Sequence, residues 1–341
     1  MMVIRPSRIT DLPGLMHLAS NAGVGLTTLP ASEKVLTEHL VDSETAFDRE
    51  VTRPRGERYL LVMENLLSGQ LVGCASLVGR VGGFDPFYSY AVENVVKEST
   101  GLGVRKEVTT LNLVQDHKGP SEIGTLFVDP QFRQGGHGRL MSLSRFLFMA
   151  ACPERFAQTV IAEMRGNVDP DVGSPFWDAI GRHFFDMPFV DADKRSAANK
   201  QFIADLMPQH PIYIPMLPEA AQAVIGEVHP EAKPALKLLK QEGFEFGNEV
   251  DIFDAGPLYR VATQGVRSIK ESRTGIFSRA LPSEPEGPRM LICNDALDFR
   301  ATLGAVEIEP DGSLGLTSGV ALGLGLHLGQ EVRFVSARPS P

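Results

Sequence analysis

The 341 residues are 43% hydrophobic and 22% charged, the balance of an ordinary folded chain and too long for a single small binding module. With 42 acidic against 33 basic residues, the net charge of -9 argues against a general nucleic-acid binder, which needs surplus Lys and Arg to displace counterions from phosphates. No run approaches the roughly 18 uninterrupted apolar residues of a bilayer span, so no membrane partner is expected.

Residues 2–5 read as a strand, followed by a helix opening near Asp11, where Leu12, Leu15, Met16 and Leu18 fall at helical spacing. Residues 58–63 and 71–78 are β-rich runs around Leu67-Ser68-Gly69-Gln70, the pattern of an antiparallel hairpin. Another strand is expected over residues 121–128, ending at Asp129-Pro130 because proline has no N–H to continue a ladder. A polar, glycine-rich loop over 131–138 then leads into an apolar helix over 139–151. A strand over 158–163 follows, then a helix over 173–185 opened by Ser174-Pro175, and a comparable short element over 232–246. The recurrence points to an internal pseudo-repeat. Between the two elements Pro208, Pro211, Pro215 and Pro218 mark extended and turn structure, which places a joint between subdomains within 190–218. From about residue 266 short apolar runs alternate with glycine and polar turns, the pattern of a small β-rich appendage.

The three cysteines, Cys74, Cys152 and Cys293, are far apart and fit neither a disulfide framework nor a metal-knuckle spacing. A reducing cytoplasm and no metal are expected. The opening residues, with Arg5, Pro6 and Asp11, lack the apolar run of a secretory signal.

The segment with chemistry in it is Arg133-Gln134-Gly135-Gly136-His137-Gly138, where a strand gives way to a helix. Such a loop turns backbone N–H groups inward, and the helix adds the positive end of its dipole, a combination that holds phosphate oxygens. The loop lacks the Gly-Lys-Ser/Thr ending of a nucleotide P-loop, and its glycine spacing is not the dinucleotide fingerprint. A glycine-rich loop without a ligand is the alternative.

The order strand and helix, antiparallel hairpin, long strand, Arg-x-x-Gly-x-Gly, apolar helix resembles the GNAT acyl-CoA N-acyltransferase fold, in which this loop holds the coenzyme A pyrophosphate. Longer blocks narrow the resemblance: Thr125-Leu126-Phe127-Val128-Asp129-Pro130, Glu163-Met164-Arg165-Gly166, Ser174-Pro175-Phe176-Trp177, Glu227-Val228-His229-Pro230, and the stretches 20–30, 85–90, 202–211 and 250–257. In order, over residues 1 to about 275, these are similar to the arginine N-succinyltransferase family. The tail after 275 matches only loosely. The resemblance implies an α+β fold, a GNAT-like, mixed, mostly antiparallel sheet flanked by helices, with a second GNAT-like subdomain and a small C-terminal β-rich appendage. The implied division is 1–200 for the acyl-CoA-binding region, 201–265 for the subdomain carrying His229, and 266–341 for the C-terminal region. It also implies transfer of succinyl from succinyl-CoA, as substrate and not prosthetic group, to the α-amino group of L-arginine, in a catabolic route ending in glutamate and succinate. Relatives acting on ornithine, a change of acyl donor, a non-catalytic acyl-CoA-binding subunit, and a homo-oligomer or a pairing with a related subunit are the alternatives that travel with it.

By the same resemblance His229 takes the proton-donor position and Leu126 a succinyl-CoA contact. The sequence departs from the family around both, with Ile123-Gly124 where Leu-Cys is commoner and Glu231-Ala232-Lys233 after the histidine. Donor-binding candidates are Leu126, Val128, Arg133, Gln134, Gly135, Gly136, His137, Gly138 and Arg139. Imidazole, with a pKa near 6.5, suits proton donation to a leaving sulfur. Glu163, on the strand after the loop helix, is the candidate base for the acceptor ammonium, with an ion pair to Arg165 as the competing reading. Asp251 and Asp254 are either a guanidinium fork or turn formers, Trp177 and Phe184 to Phe185 read as core, and Arg139, Arg145, Arg165 and Arg182 are unranked partners for the succinyl carboxylate.

Overall fold

Residue 2 begins β1 (Met2–Pro6), whose three central residues are buried. After helices α1 (Leu12–Asn21) and α2 (Glu33–Asp48) come β2 (Arg58–Asn65), β3 (Gln70–Val78), β4 (Phe87–Ser99), β5 (Val104–Asp116) and β6 (Ser121–Val128), then helix α3 (His137–Ala151) and β7 (Thr159–Glu163). Short helices and β8 (Ile212–Tyr213) separate β7 from β9 (Glu245–Val250) and β10 (Pro257–Ala262). The chain closes with β11 (Arg273–Leu281), β12 (Met290–Cys293), β13 (Ala301–Gly304), β14 (Glu307–Ile308), β15 (Leu314–Thr317) and β16 (Glu331–Ser336). The computed structural model describes residues 1–22, 26, 28–83, 86–168, 173–198 and 201–339, so the sequence blocks 20–30 and 85–90 lie partly outside the described residues.

All sixteen strands join one sheet in the order β14-β15-β11-β16-β12-β13-β1-β2-β3-β6-β7-β10-β9-β4-β5-β8. The fold is α+β, with a mostly antiparallel sheet flanked by helices. Among the described residues, only β6 with β7 and β11 with β15 run parallel. The C-terminal strands extend the same sheet through Ile4 opposite Ala301, and Leu291, Cys293, Phe299 and Val335 enter the core beneath α3 beside Phe146 and Phe148. On the other face α1 and α2 pack Leu15, Leu18, Leu36 and Leu40 over β2 and β3.

The hairpin over 58–78 forms as its spacing predicts, with Leu61 opposite Ala75. Several features escape the sequence pattern: α2, β10, the helices Phe189–Ala198 and Gln201–Leu206 where a joint is expected, and the β4–β5 hairpin. The hairpin is paired from Phe87 opposite Asp116 to Ser99 opposite Val104. Its outer half is exposed on both faces, so no burial selects the alternation that marks a strand. The expected helix over 173–185 is two, Pro175–Ala179 and Gly181–Phe185. The chain breaks helical geometry at Ile180, and the Trp177 ring lies where a Gly181 side chain would project. Trp177 is fully buried, stacks on Phe185 and Phe253 and donates from Nε1 to Met187 O. It is core, as is Phe185, while Phe184 is exposed.

Candidate active site

Parallel β6 and β7 pair only at their starts, Ser121 with Val160 and Glu122 with Ile161. Beyond that point they diverge, leaving a wedge flanked by strand ends. On the other edge of β6, Cys74 lies opposite Phe127 and Ser76 opposite Gly124, so Ala75 faces two residues, Thr125 and Leu126. This is a bulge, and Thr125 has the positive φ of 46° that the extra residue demands. The Thr125 hydroxyl accepts from Ser76 Oγ at 2.9 Å. A bulge leaves one residue's backbone groups outside the ladder and re-aims its neighbours. Leu126, beside it, is partly buried against the α3 core.

At the end of β6 Asp129 accepts from the Gln131 amide at 2.9 Å. Arg133 folds back, donating from Nε to Val128 O at 2.8 Å with its guanidinium over the Phe127 ring. His137 Nδ1 lies 2.9 Å from Phe132 O. Both side chains therefore brace the loop. Gly135 and Gly136 have φ of 66° and 86°, the left-handed region open to glycine, and Gly136 caps α3. Among the described residues, the His137 amide bonds Gln134 O, whereas the amides of Gln134, Gly135, Gly136, Gly138 and Arg139 have no hydrogen-bond partner. A row of free N–H groups at a helix start is an anion cradle.

The C-terminal strands complete this cradle. A cavity of about 580 Å³ is lined by Gly135, Gly136, Arg139, Arg289 and Arg338, among others. Arg289 Nη1 donates to Gly135 O at 2.7 Å, and Arg139 donates to Ala337 O and Gln241 Oε1. Burial and the neighbouring Arg338 charge pull the Arg139 pKa down. Three cations thus surround the free amides. Sequence reasoning missed Arg289 and Arg338, which lie more than 150 residues from the loop and carry no local signal. Gly136→Val, which forces a β-branched residue into left-handed backbone and toward Leu303, should raise the Michaelis constant for the donor about 10-fold, roughly 1.4 kcal/mol. Steady-state kinetics with varied donor check this, and an unchanged value removes the loop from the site.

On the other side of the bulge a cleft of about 280 Å³ is lined by Glu122, Gly124 and Thr125 of β6, Glu163 of β7, Asp251 and His39, among others. Glu122, Glu163 and Asp251 bring three carboxyl groups to this cleft, and Arg58 brings a guanidinium. Asp251 and Asp254 mainly build the β9–β10 turn. Asp254 accepts from Gly166 N at 2.8 Å and Gly256 N at 2.7 Å, and Asp251 accepts from Phe253 N and Asp254 N. Burial raises the pKa of both, and the mutual repulsion of the pair raises Asp254 further.

His229 is brought to the end of β7 by its own amide, which donates to Arg165 O at 2.9 Å, two residues beyond Glu163. Its Nδ1 accepts from the Glu231 amide at 3.3 Å, so the neutral ring carries its proton on Nε2. Burial and the nearby Arg165 charge lower its pKa below 6.5 against the opposing pull of Glu231. Arg165 pairs with Glu231 at 3.3 Å. Arg182, exposed, pairs with Asp178. The fold therefore sets the bulge and Glu163 on one cleft, the glycine loop directly after β6, and His229 against Arg165, two residues beyond the end of β7.

Residues 2–268 match the family profile described as "Arginine N-succinyltransferase beta subunit", and residues 279–336 match the profile of its C-terminal domain. An arginine N-succinyltransferase of Enterobacter sp. (strain 638) is 45% identical over 306 residues, 89% of this chain and 88% of its own. The "arginine N-succinyltransferase subunit alpha" of Pseudomonas aeruginosa is 39% identical over 339 residues, 98% of this chain and all of its own. A solved structure, that of arginine/ornithine succinyltransferase subunit AI from Pseudomonas aeruginosa, superposes with a TM-score of 0.90 at 37% identity over 99% of each chain.

Proposed function

Because this chain belongs to the arginine N-succinyltransferase family, and is thereby an acyltransferase, we propose that it moves succinyl from succinyl-CoA to the α-amino group of L-arginine. The observation that carries the reading is the pair of sites on either side of the β6 bulge. After β6 comes a cationic cradle of free amides suited to a coenzyme's phosphates, and before it a cleft where the carboxyl groups of Glu122 and Glu163 suit a cationic amino acid. The P. aeruginosa relative's name as a subunit supports pairing with a related chain or a second copy. No described helix is long and apolar enough to cross a membrane.

The neutral amine attacks the thioester carbonyl, charge gathers on oxygen, and the tetrahedral intermediate expels a thiolate. In this reading the backbone freed by the bulge at Thr125 and Leu126 faces the oxyanion. Glu163, directly or through water, takes the first proton of the incoming ammonium, His229 delivers a proton from Nε2 to the leaving sulfur, and the second nitrogen proton, shed once the C–N bond has formed, restores the protonated His229. The acyl group passes straight to the amine, with no enzyme thioester. Burial pushes the thiols up, Cys74 and Cys293 to about 12 and Cys152 to about 11, which leaves no thiolate nucleophile at neutral pH. Converting each cysteine to Ala should leave turnover within about three-fold, and an isolable succinyl-enzyme would demand a covalent route instead.

The test is purified protein with succinyl-CoA, arginine and a thiol reagent, with the product identified by mass spectrometry. Arginine-dependent thiol release with N2-succinylarginine is the expected result. Release only with ornithine makes that amine the acceptor, a second reading favoured by the naming of the solved P. aeruginosa relative as an arginine/ornithine succinyltransferase subunit. Tight donor binding without release with any amine makes the chain a non-catalytic subunit.

A further inference from the structure

The side chain of Arg145 lies inside the protein with nothing of opposite charge to hold. It sits on α3 among Leu, Met and Phe residues and is 2% exposed, and Ser142 and Ser144 beside it are fully buried. Its Nε donates to Ser142 O at 3.0 Å, Nη2 to Ser142 Oγ at 3.1 Å, and Nη1 reaches Gly124 O at 3.4 Å. No carboxylate among the described residues pairs with it. Removal from water, unopposed by any acid, pulls its pKa down to about 9. A guanidinium has five N–H donors, and here three bonds to neutral acceptors are all it makes, the longest of them weak. A cation in this position is costly unless an anion joins it.

Its place is equally specific. Gly124, the residue Arg145 reaches, directly precedes the bulge at Thr125 and lines the same cleft as Glu122 and Glu163. Arg145 is nine residues along α3 from Gly136, about 13 Å at the usual helical rise, so it stands from the phosphate cradle at the reach of a pantetheine arm. Gly124 meets Arg145 and also lines the cleft, so a thioester held at the bulge would carry the far end of a four-carbon acyl group toward this guanidinium. The other three arginines singled out in the sequence are paired or lie elsewhere. Arg165 and Arg182 have carboxylate partners, and Arg139 belongs to the glycine-loop cavity.

We propose that Arg145 binds the terminal carboxylate of the succinyl group and selects a dicarboxylic acyl donor over neutral ones. This rests on the functional reading above, and a binding measurement that needs no acceptor separates the two. Calorimetry on the full chain compares succinyl-CoA, its monomethyl ester and butyryl-CoA, which has the same four-carbon acyl chain without the carboxylate. Native protein should bind succinyl-CoA about 10- to 100-fold more tightly than either neutral thioester, the range for a charge-assisted pair. In Arg145→Met that preference should vanish while free coenzyme A binds as before, and Arg145→Lys should keep part of it. Kinetics with arginine should show the same loss of preference in kcat/KM. Equal native affinity for the three donors overturns the proposal, and so does an Arg145→Met protein that still prefers succinyl-CoA or loses all three donors alike. Should Arg145→Met not fold, the native comparison and Arg145→Lys decide. Selective donor binding with no transfer to any amine leaves Arg145 in place and sinks the functional reading alone.

Discussion

His229→Ala should lower kcat by about 10²-fold, the lower end for general acid catalysis, because a thiolate already leaves fairly well, while changing the Michaelis constant of either substrate much less. A proton donor to the sulfur acts as the bond to carbon breaks, so its loss belongs to the transition state and not to binding. The environment of His229 adds a pH signature. Its pKa is lowered by burial and by Arg165, so the protonated ring is present below that value and lost as pH rises through it. Expressed per concentration of neutral acceptor amine, turnover should decline across that window, which lies below 6.5. Arg165→Gln removes the repelling cation and should move both the NMR titration of His229 and this decline upward together. His229→Ala should abolish the decline. If the mutant keeps its kcat and loses only arginine affinity, His229 positions substrate and the proton comes from elsewhere.

The parts of the site legible in the sequence are those whose chemistry is local. Asp129-Pro130 ends a strand, two adjacent glycines take left-handed backbone, and an apolar helix follows. Each of these has a reason within a few residues. Arg133 and His137 show the limit of that reading, because side chains that sequence pattern aims at phosphate instead bond the loop's own carbonyls. His229 carries no local signal at all. A histidine before proline is a common turn, and only the family resemblance singles this one out. What brings it to the end of β7 is a backbone bond to Arg165, a tertiary fact. Arg289 and Arg338 are invisible for the same reason. Arg145 can be named from the sequence but not ranked, since ranking depends on which arginines have acids beside them.

Glu242→Ala should destabilise the protein by about 3 kcal/mol, the lower end for breaking a buried ion pair, because Arg267 keeps the half-exposed Glu271 at 3.2 Å. Glu242 is fully buried and Arg267 nearly so. One Glu242 oxygen accepts from Arg267 Nη2 at 2.8 Å and Nε at 3.0 Å, and the other accepts from the Ser268 amide at 2.7 Å. Removal therefore also strands a backbone donor. Arg267 in turn donates to Ser336 O, so the pair ties the end of the helix Lys233–Gln241 to the segment that brings Ala337 and Arg338 against the glycine loop. Chemical unfolding should report the loss, and donor affinity should fall with it, because the wall of the phosphate cavity loosens. The double variant Glu242→Met with Arg267→Met, which removes both charges and keeps the volume, should recover most of the stability but not the donor affinity, since Ser336 O still lacks its donor. Should the double variant be as unstable as Glu242→Ala, packing and the orphaned Ser268 amide outweigh the uncompensated charge.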